Sequence, residues 1–230
     1  MSGQRILIVE DEEKIASIMR DYLIQAGFHC TWLNHGALVV SHVKRRLPDL
    51  ILLDIMLPGM QGTDLCREIR KFSEVPIVMI TAKVEEVDRL IGLELGADDY
   101  ICKPFSPREV VARVKSIFRR VQPKSRESIL VIEPITLNQD TREVIIDGRK
   151  LNLTPSEFGL LDIMMQHPNK VFSREDLISK VLGHDFEGYD RTIDTHVKNL
   201  RKKIGTLLPD RKVIGSIYGM GYRFDSAALG

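Results

Sequence analysis

Asp49-Leu-Ile-Leu-Leu-Asp-Ile-Met-Leu-Pro-Gly59 is an apolar run that meets a carboxylate at Asp54 and then turns. Four apolar residues in a row, with no polar alternation, describe a strand buried on both faces, the habit of a parallel sheet covered by helices. Three further runs share the form: Arg5-Ile-Leu-Ile-Val-Glu-Asp11, Pro76-Ile-Val-Met-Ile-Thr81 and Asp98-Asp-Tyr-Ile-Cys-Lys103. In an open α/β sheet, ligands bind in the crevice at the carboxyl ends of the strands. Asp11, Asp54, Thr81 and Lys103 therefore reach one crevice from four strands, bringing two carboxylates, a hydroxyl and an ammonium.

Outward from these runs the chain keeps a regular rhythm. Strand candidates at 5–10, 28–33, 49–53, 76–80 and 98–102 alternate with helical periodicity over 12–26, 36–46, 62–72, 84–95 and 106–120. Five such units predict an α/β domain, a (βα)5 doubly wound parallel sheet, over residues 1–120. A polar, proline-bearing linker follows at 121–127. Residues 128–226 read differently, with short strands at 129–132, 135–138 and 143–147 and a turn at Asp147-Gly148. Thr154-Pro155-Ser156-Glu157 and Ser173-Arg-Glu-Asp176 each open a helix with a capping box. A third helix spans about 191–205 with Ile193, Val197, Leu200 and Ile204 as its apolar stripe. Ser216 to Phe224 reads as a hairpin, which completes a winged helix-turn-helix domain.

Composition narrows the field. The 230 residues carry a formal net charge of +1 and three cysteines, too few and too scattered for a disulfide framework or a thiolate metal site. The acidic start and the lack of a long apolar stretch predict a cytoplasmic protein with no membrane association. Charge is uneven along the chain: residues 191–212 hold seven basic residues against Asp194 and Asp210. Such a local excess on a near-neutral protein marks either a partner-binding surface or a solvated helix face.

The crevice chemistry follows from its residue types. Glu10, Asp11 and Asp54 repel one another unless a cation lies among them. An oxygen-only donor set suits Mg²⁺, which needs only one or two carboxylates beside waters and phosphate oxygens. Asp54 can then act as a nucleophile toward phosphorus, with Lys103 and Thr81 facing the phosphoryl oxygens. A phosphatase with an aspartyl intermediate usually carries a second aspartate two residues after the nucleophile, where this chain has Met56. A flavodoxin-like carrier or a nucleotide hydrolase needs a Gly-rich loop after the first strand, where Glu10-Asp-Glu-Glu13 stands. A phospho-aspartate switch fits best, not an enzyme beyond its own Mg²⁺-dependent phosphorylation and dephosphorylation.

Val9-Glu-Asp-Glu12, Leu52-Leu-Asp-Ile-Met-Leu-Pro-Gly59, Ile80-Thr-Ala82 and Gly96-Ala-Asp-Asp-Tyr-Ile-Cys-Lys-Pro-Phe105 resemble the receiver domain of bacterial response regulators. Leu153-Thr-Pro-Ser-Glu-Phe158, Arg191-Thr-Ile-Asp-Thr-His-Val-Lys-Asn-Leu-Arg201 and Gly219-Met-Gly-Tyr-Arg-Phe224 resemble the OmpR/PhoB-type output domain. Within that family the chain is most similar to BaeR-type regulators. The resemblance implies a two-component response regulator phosphorylated on Asp54 by a sensor histidine kinase. It implies Mg²⁺ on Asp11, Asp54 and the Met56 carbonyl, with Glu10 acting through water, and a cis Lys103–Pro104 bond. It makes Thr81 and Tyr100 a switch pair. It further implies a homodimer when phosphorylated, paired as Arg89–Glu109, Asp99–Arg113 and Asp98–Arg120. The partners implied are double-stranded promoter DNA and RNA polymerase, and the targets are envelope-stress or efflux genes.

On the basic helix, Arg191, Thr192, His196, Lys198 and Asn199 are the expected base readers or their neighbours in the major groove. Arg201, Lys202, Ser216 and Tyr222 are expected at phosphates. Many relatives carry an arginine at the wing tip, where this chain has Tyr218.

Overall fold

A computed structural model describes residues 3–82, 94–121, 129–182 and 191–229. Most of the expected helix over 84–95, including Arg89, and the linker beyond Val121 lie outside the described residues. The chain divides into two compact units, 1–115 and 116–230. The expected boundary after 120 falls five residues later than this division, because the helix Pro107–Val121 runs unbroken across it.

The first unit is built on five parallel strands: β1 (Arg5–Val9), β2 (His29–Leu33), β3 (Leu50–Asp54), β4 (Ile77–Thr81) and β5 (Asp99–Cys102). Their order is β2-β1-β3-β4-β5. The sheet reverses direction of growth between β1 and β3, which opens the crevice. β3 is buried along its whole length, as its uninterrupted apolar run requires. Register levels the strand ends: Val9 pairs with Leu53, Asp54 with Ile80 and Thr81 with Cys102. Glu10, Asp54, Thr81 and Lys103 therefore stand along one edge.

Helices α1 (Glu13–Gln25), α2 (Val39–Arg45), α3 (Gly62–Arg70) and α4 (Pro107–Val121) cover the sheet. α1 buries Ala16, Met19 and Leu23, and α3 buries Leu65, Cys66 and Ile69, each a stripe at helical spacing. Gly62 opens α3 directly against β3, where a Cβ would collide with the Asp54 carbonyl oxygen. No larger residue lets the helix start this close to the crevice.

The second unit begins with an antiparallel sheet, β6 (Ile129–Ile132), β7 (Ile135–Asn138), β8 (Glu143–Ile146) and β9 (Arg149–Leu151). β9 was absent from the sequence expectation. It has three residues, two of them basic, and is recruited by the turn: Asp147 and Gly148 both take positive φ, 48° and 72°. That pair of left-handed residues matches the twist of a two-residue hairpin.

α5 (Pro155–Gln166) starts from the expected capping box, with Glu157 Oε2 accepting from the Thr154 N–H at 2.9 Å. α6 (Arg174–Leu177) starts from a second box on Ser173 and widens into a π-helical turn, Ile178–Leu182. α7 (Arg191–Gly205) buries Ile193, Val197, Leu200 and Ile204. A hairpin of β10 (Ile214–Ile217) and β11 (Gly221–Phe224) follows. Among the described residues no helix is long and apolar enough to cross a membrane.

Candidate functional site: an acidic crevice and a basic helix

The crevice holds Glu10, Asp54 and Thr81 buried, Lys103 partly buried and Asp11 exposed. Lys103 Nζ donates to Asp54 Oδ2 at 2.7 Å and to Glu10 Oε1 at 2.9 Å. Glu10, Asp11 and Asp54 each bring a carboxylate oxygen to within 4.8 Å of the others. Asp54 Oδ1 accepts from the Met56 N–H at 3.0 Å, which fixes the carboxylate plane and folds the following turn onto it. The backbone N–H of Lys103 donates to the Thr81 carbonyl at 2.7 Å, so β5 continues to track β4 up to the lysine. The Lys103–Pro104 bond is cis.

Electrostatics here are strained in a telling direction. Burial pushes the Glu10 carboxyl up to about 7, against the stabilising hydrogen bond from Lys103 and with the neighbouring Asp54 adding to the rise. Burial alone would lower the Lys103 ammonium, yet its bonds to Asp54 and Glu10 prevail and raise it. Glu10 Oε2 is buried without a hydrogen-bond partner. Among the described residues, the Lys103 ammonium is bonded to two of the three carboxylates, with a buried oxygen to spare. That donor set, all oxygen and net negative, fits a hard divalent cation. Trp32, the chain's single tryptophan, donates its indole N–H to the Glu10 backbone carbonyl at 2.8 Å. No residue pattern signals that link, since it runs through a main-chain oxygen.

Tyr100 is buried at the centre of β5, one strand from Thr81. Of the residues expected at a dimer face, Arg113 closes within its own chain, on Asp99 at 3.3 Å and on Glu109 at 2.9 Å. Asp98 needs correction as a surface partner of Arg120. It is fully buried, bonded to Arg70 at 3.2 Å and to the Ile77 N–H at 3.1 Å. The Arg120 side chain lies outside the description, as does Arg89.

In the second unit, Lys198 and Lys202 are exposed on α7, and Asn199 is half-buried. His196 and Thr192 depart from the expectation of exposed groove contacts, each being 1 % exposed. The apolar stripe is wider than four residues, and these polar side chains fill its margin. The Arg191 side chain lies outside the description. Tyr222 is corrected as well, being 6 % exposed with its hydroxyl donated to Asp194 at 2.7 Å. Arg201 donates to the Ile214 carbonyl at 2.9 Å and to Ser216 Oγ at 2.8 Å, tying α7 to the wing. Tyr218 projects fully into solvent at the wing tip. Burial pushes the thiols of Cys30 and Cys66 up to about 11.

Each unit has known relatives. Residues 6–115 match the response regulator receiver domain, and 148–224 match the C-terminal domain of transcriptional regulatory proteins. The transcriptional regulatory protein BaeR of Escherichia coli is 51 % identical over 229 residues, covering 97 % of this chain and 94 % of its own. Transcriptional regulatory protein YclJ of Bacillus subtilis is 42 % identical over 226 residues, 96 % of this chain and 99 % of its own. The crystal structure of response regulator DrrB, a Thermotoga maritima OmpR/PhoB homologue, is 26 % identical at a TM-score of 0.52, covering 97 % of this chain and 99 % of its own. A receiver domain joined to a winged-helix DNA-binding domain defines a two-component response regulator, a transcription regulator rather than a classical enzyme. The chain belongs to the OmpR/PhoB family of these regulators and is BaeR-like.

Proposed function

We propose that Asp54 accepts a phosphoryl group from a sensor histidine kinase and that this converts the chain into a promoter-binding dimer. The observation that carries the reading is the crevice itself: a buried carboxylate 2.7 Å from a lysine, beside two more carboxylates and an orphaned buried oxygen. Asp11, Asp54 and the Met56 carbonyl, with Glu10 acting through water, would hold Mg²⁺, which when bound offsets the negative charge of the incoming phosphoryl group. An Asp54 oxygen attacks phosphorus, the phosphorus–nitrogen bond to the donor's histidine breaks, and the imidazole leaves with the bonding electrons. Lys103 then shifts from the Asp54 oxygen toward the phosphoryl oxygens as their fixed counter-charge.

The new group brings about two negative charges and several acceptors. Thr81, at the end of β4, donates its hydroxyl to one of them, and Tyr100 repacks into the space this vacates. Dimerisation through the face that carries Glu109, Asp99 and Arg113 requires Arg113 to exchange its intrachain partners for those of a second copy. Individually weak surface pairs of this kind set register more than affinity.

On DNA, Lys198 and Asn199, with Arg191, read bases from α7, while Lys202, Arg201 and Ser216 contact the backbone. RNA polymerase is the downstream partner, and by likeness to BaeR-type regulators the targets are envelope-stress or efflux genes. The domains are 1–120, the linker 121–127 and 128–226. Incubation with Mg²⁺ and a small phosphodonor tests the reading: one labile, hydroxylamine-sensitive phosphate should form and be lost in Asp54→Asn. Full stoichiometry in that variant rejects it.

A further inference from the structure

Asp194 is misplaced by charge. It sits in the first turn of α7, in a segment with seven basic residues, on the same helical face as Lys198 and Arg201 four and seven positions on. A carboxylate there opposes a polyanion. A favourable interaction with the helix N-terminus accounts for an acid in the first turn. It does not account for what converges on that acid. Arg174 Nε and the Tyr222 hydroxyl both donate to Asp194 Oδ1, each at 2.7 Å. The guanidinium groups of Arg174 and Arg201 lie 5.3 and 5.4 Å from the centre of the Tyr222 ring.

The backbone beneath is equally fixed. Phe172 and Tyr222 exchange two main-chain hydrogen bonds, at 2.8 and 3.0 Å. Gly221 lies so close that a Cβ would collide with the Phe172 carbonyl oxygen. The Ser173 capping box then sets the turn from which Arg174 projects. The start of α6, the first turn of α7 and strand β11 are thus locked together around one carboxylate oxygen.

We infer that Arg174 is a contact to a DNA backbone phosphate and that Asp194 is the positioning residue that holds it, together with Tyr222, on the DNA-facing surface. The inference rests on the DNA-binding reading above and adds α6 to the interface. With Nε tied to Asp194 and the guanidinium carbon over the tyrosine ring, the Arg174 fork is oriented while its side chain stays 37 % exposed. An oriented guanidinium is suited to a phosphate's paired oxygens. Asp194 is neutralised by the same pairing, so the surface presented is a row of cations: Arg174, Arg201 and Lys198.

The test uses the full chain and a fluorescent random-sequence DNA duplex, because phosphate contacts do not depend on sequence. Affinity is measured by anisotropy across a salt series. Arg174→Gln should flatten the slope of log affinity against log salt by about 0.9, one phosphate. Raising salt from about 50 to about 200 mM then weakens the variant roughly 3.5-fold less than the parent. Asp194→Asn gives the discriminating sign. Loss of a negative charge beside DNA should by itself tighten binding, whereas loss of the positioning residue should weaken it, with Asp194→Glu recovering part. An unchanged slope in Arg174→Gln overturns the phosphate contact, and tighter binding by Asp194→Asn overturns the positioning role. Should Arg174→Gln fail to fold, Tyr222→Phe removes only the hydroxyl. Weaker binding then supports the arrangement, and unchanged binding rejects it. A parent with no salt-dependent binding defeats the DNA-binding reading instead, and the two failures are told apart.

Discussion

Lys103→Met keeps a stem of similar length and removes only the ammonium that Asp54 and Glu10 share at 2.7 and 2.9 Å. Both carboxylates are essentially buried, so neither can turn to water for compensation. Breaking a buried ion pair by deleting one partner costs about 3–5 kcal/mol, because the remaining charge is left unpaired. For a unit of this size that is a fall in Tm on the order of 10–20 °C. The loss should depend on pH with a definite sign. Without the lysine, the Glu10 carboxyl, already raised by burial, rises further above its unfolded value, so protonation favours the folded state. Stability is then retained at low pH and lost as pH rises through the folded-state values. Mg²⁺ should offset the defect, by about 2.7 kcal/mol at a hundredfold excess over its dissociation constant. Urea unfolding at pH 6 and pH 8, with and without Mg²⁺, reads all three effects. If Lys103→Met is equally destabilised at both pH values and indifferent to Mg²⁺, stem packing dominates and the electrostatic account of the crevice is wrong.

Other consequences are smaller but as specific. Gly62→Ala forces α3 away from the Asp54 carbonyl and should cost about 1–3 kcal/mol by overpacking, with slower phosphorylation read from a labelled phosphodonor. Because the Glu10 carboxyl titrates near 7, Mg²⁺ affinity should rise as pH increases through that value, and calorimetry should find the dependence reduced in Glu10→Gln. Thr154→Ala removes the cap of α5 and should destabilise the second unit by about 1 kcal/mol in thermal melts, leaving the crevice chemistry unchanged. Lys202→Gln should lower affinity for all DNA sequences and flatten the salt slope by about 0.9, measured by anisotropy.

The crevice was readable because its signals are local. Each strand is a short apolar run, and each reactive residue lies at or just beyond its end, so strand order alone brings Glu10, Asp54, Thr81 and Lys103 together. The second unit was legible in its caps, which are local too: Thr154 and Ser173 needed only the residue three positions on. What escaped depends on the tertiary surroundings. His196 was set apart from the apolar stripe for its polarity alone, although a residue three positions after Ile193 lies only about 60° round the helix, and it is buried. Asp98 and Asp99 are adjacent carboxylates, and only the sheet decides that one meets Arg70 and the other Arg113. β9 carries two basic residues in three and owes its existence to the turn before it. Arg174 was seen as part of a capping box, and its second role emerges only when β11 is laid beside it.

The indole of Trp32 bonded to the Glu10 main chain gives this regulator an optical property of its own. It is the single tryptophan, so its emission arises wholly from the edge of the crevice and none of it from the winged helix. Occupancy of the crevice can be followed by intrinsic fluorescence while a dye on the duplex reports DNA engagement. The two events can therefore be timed against each other in one cuvette, without a label on the protein.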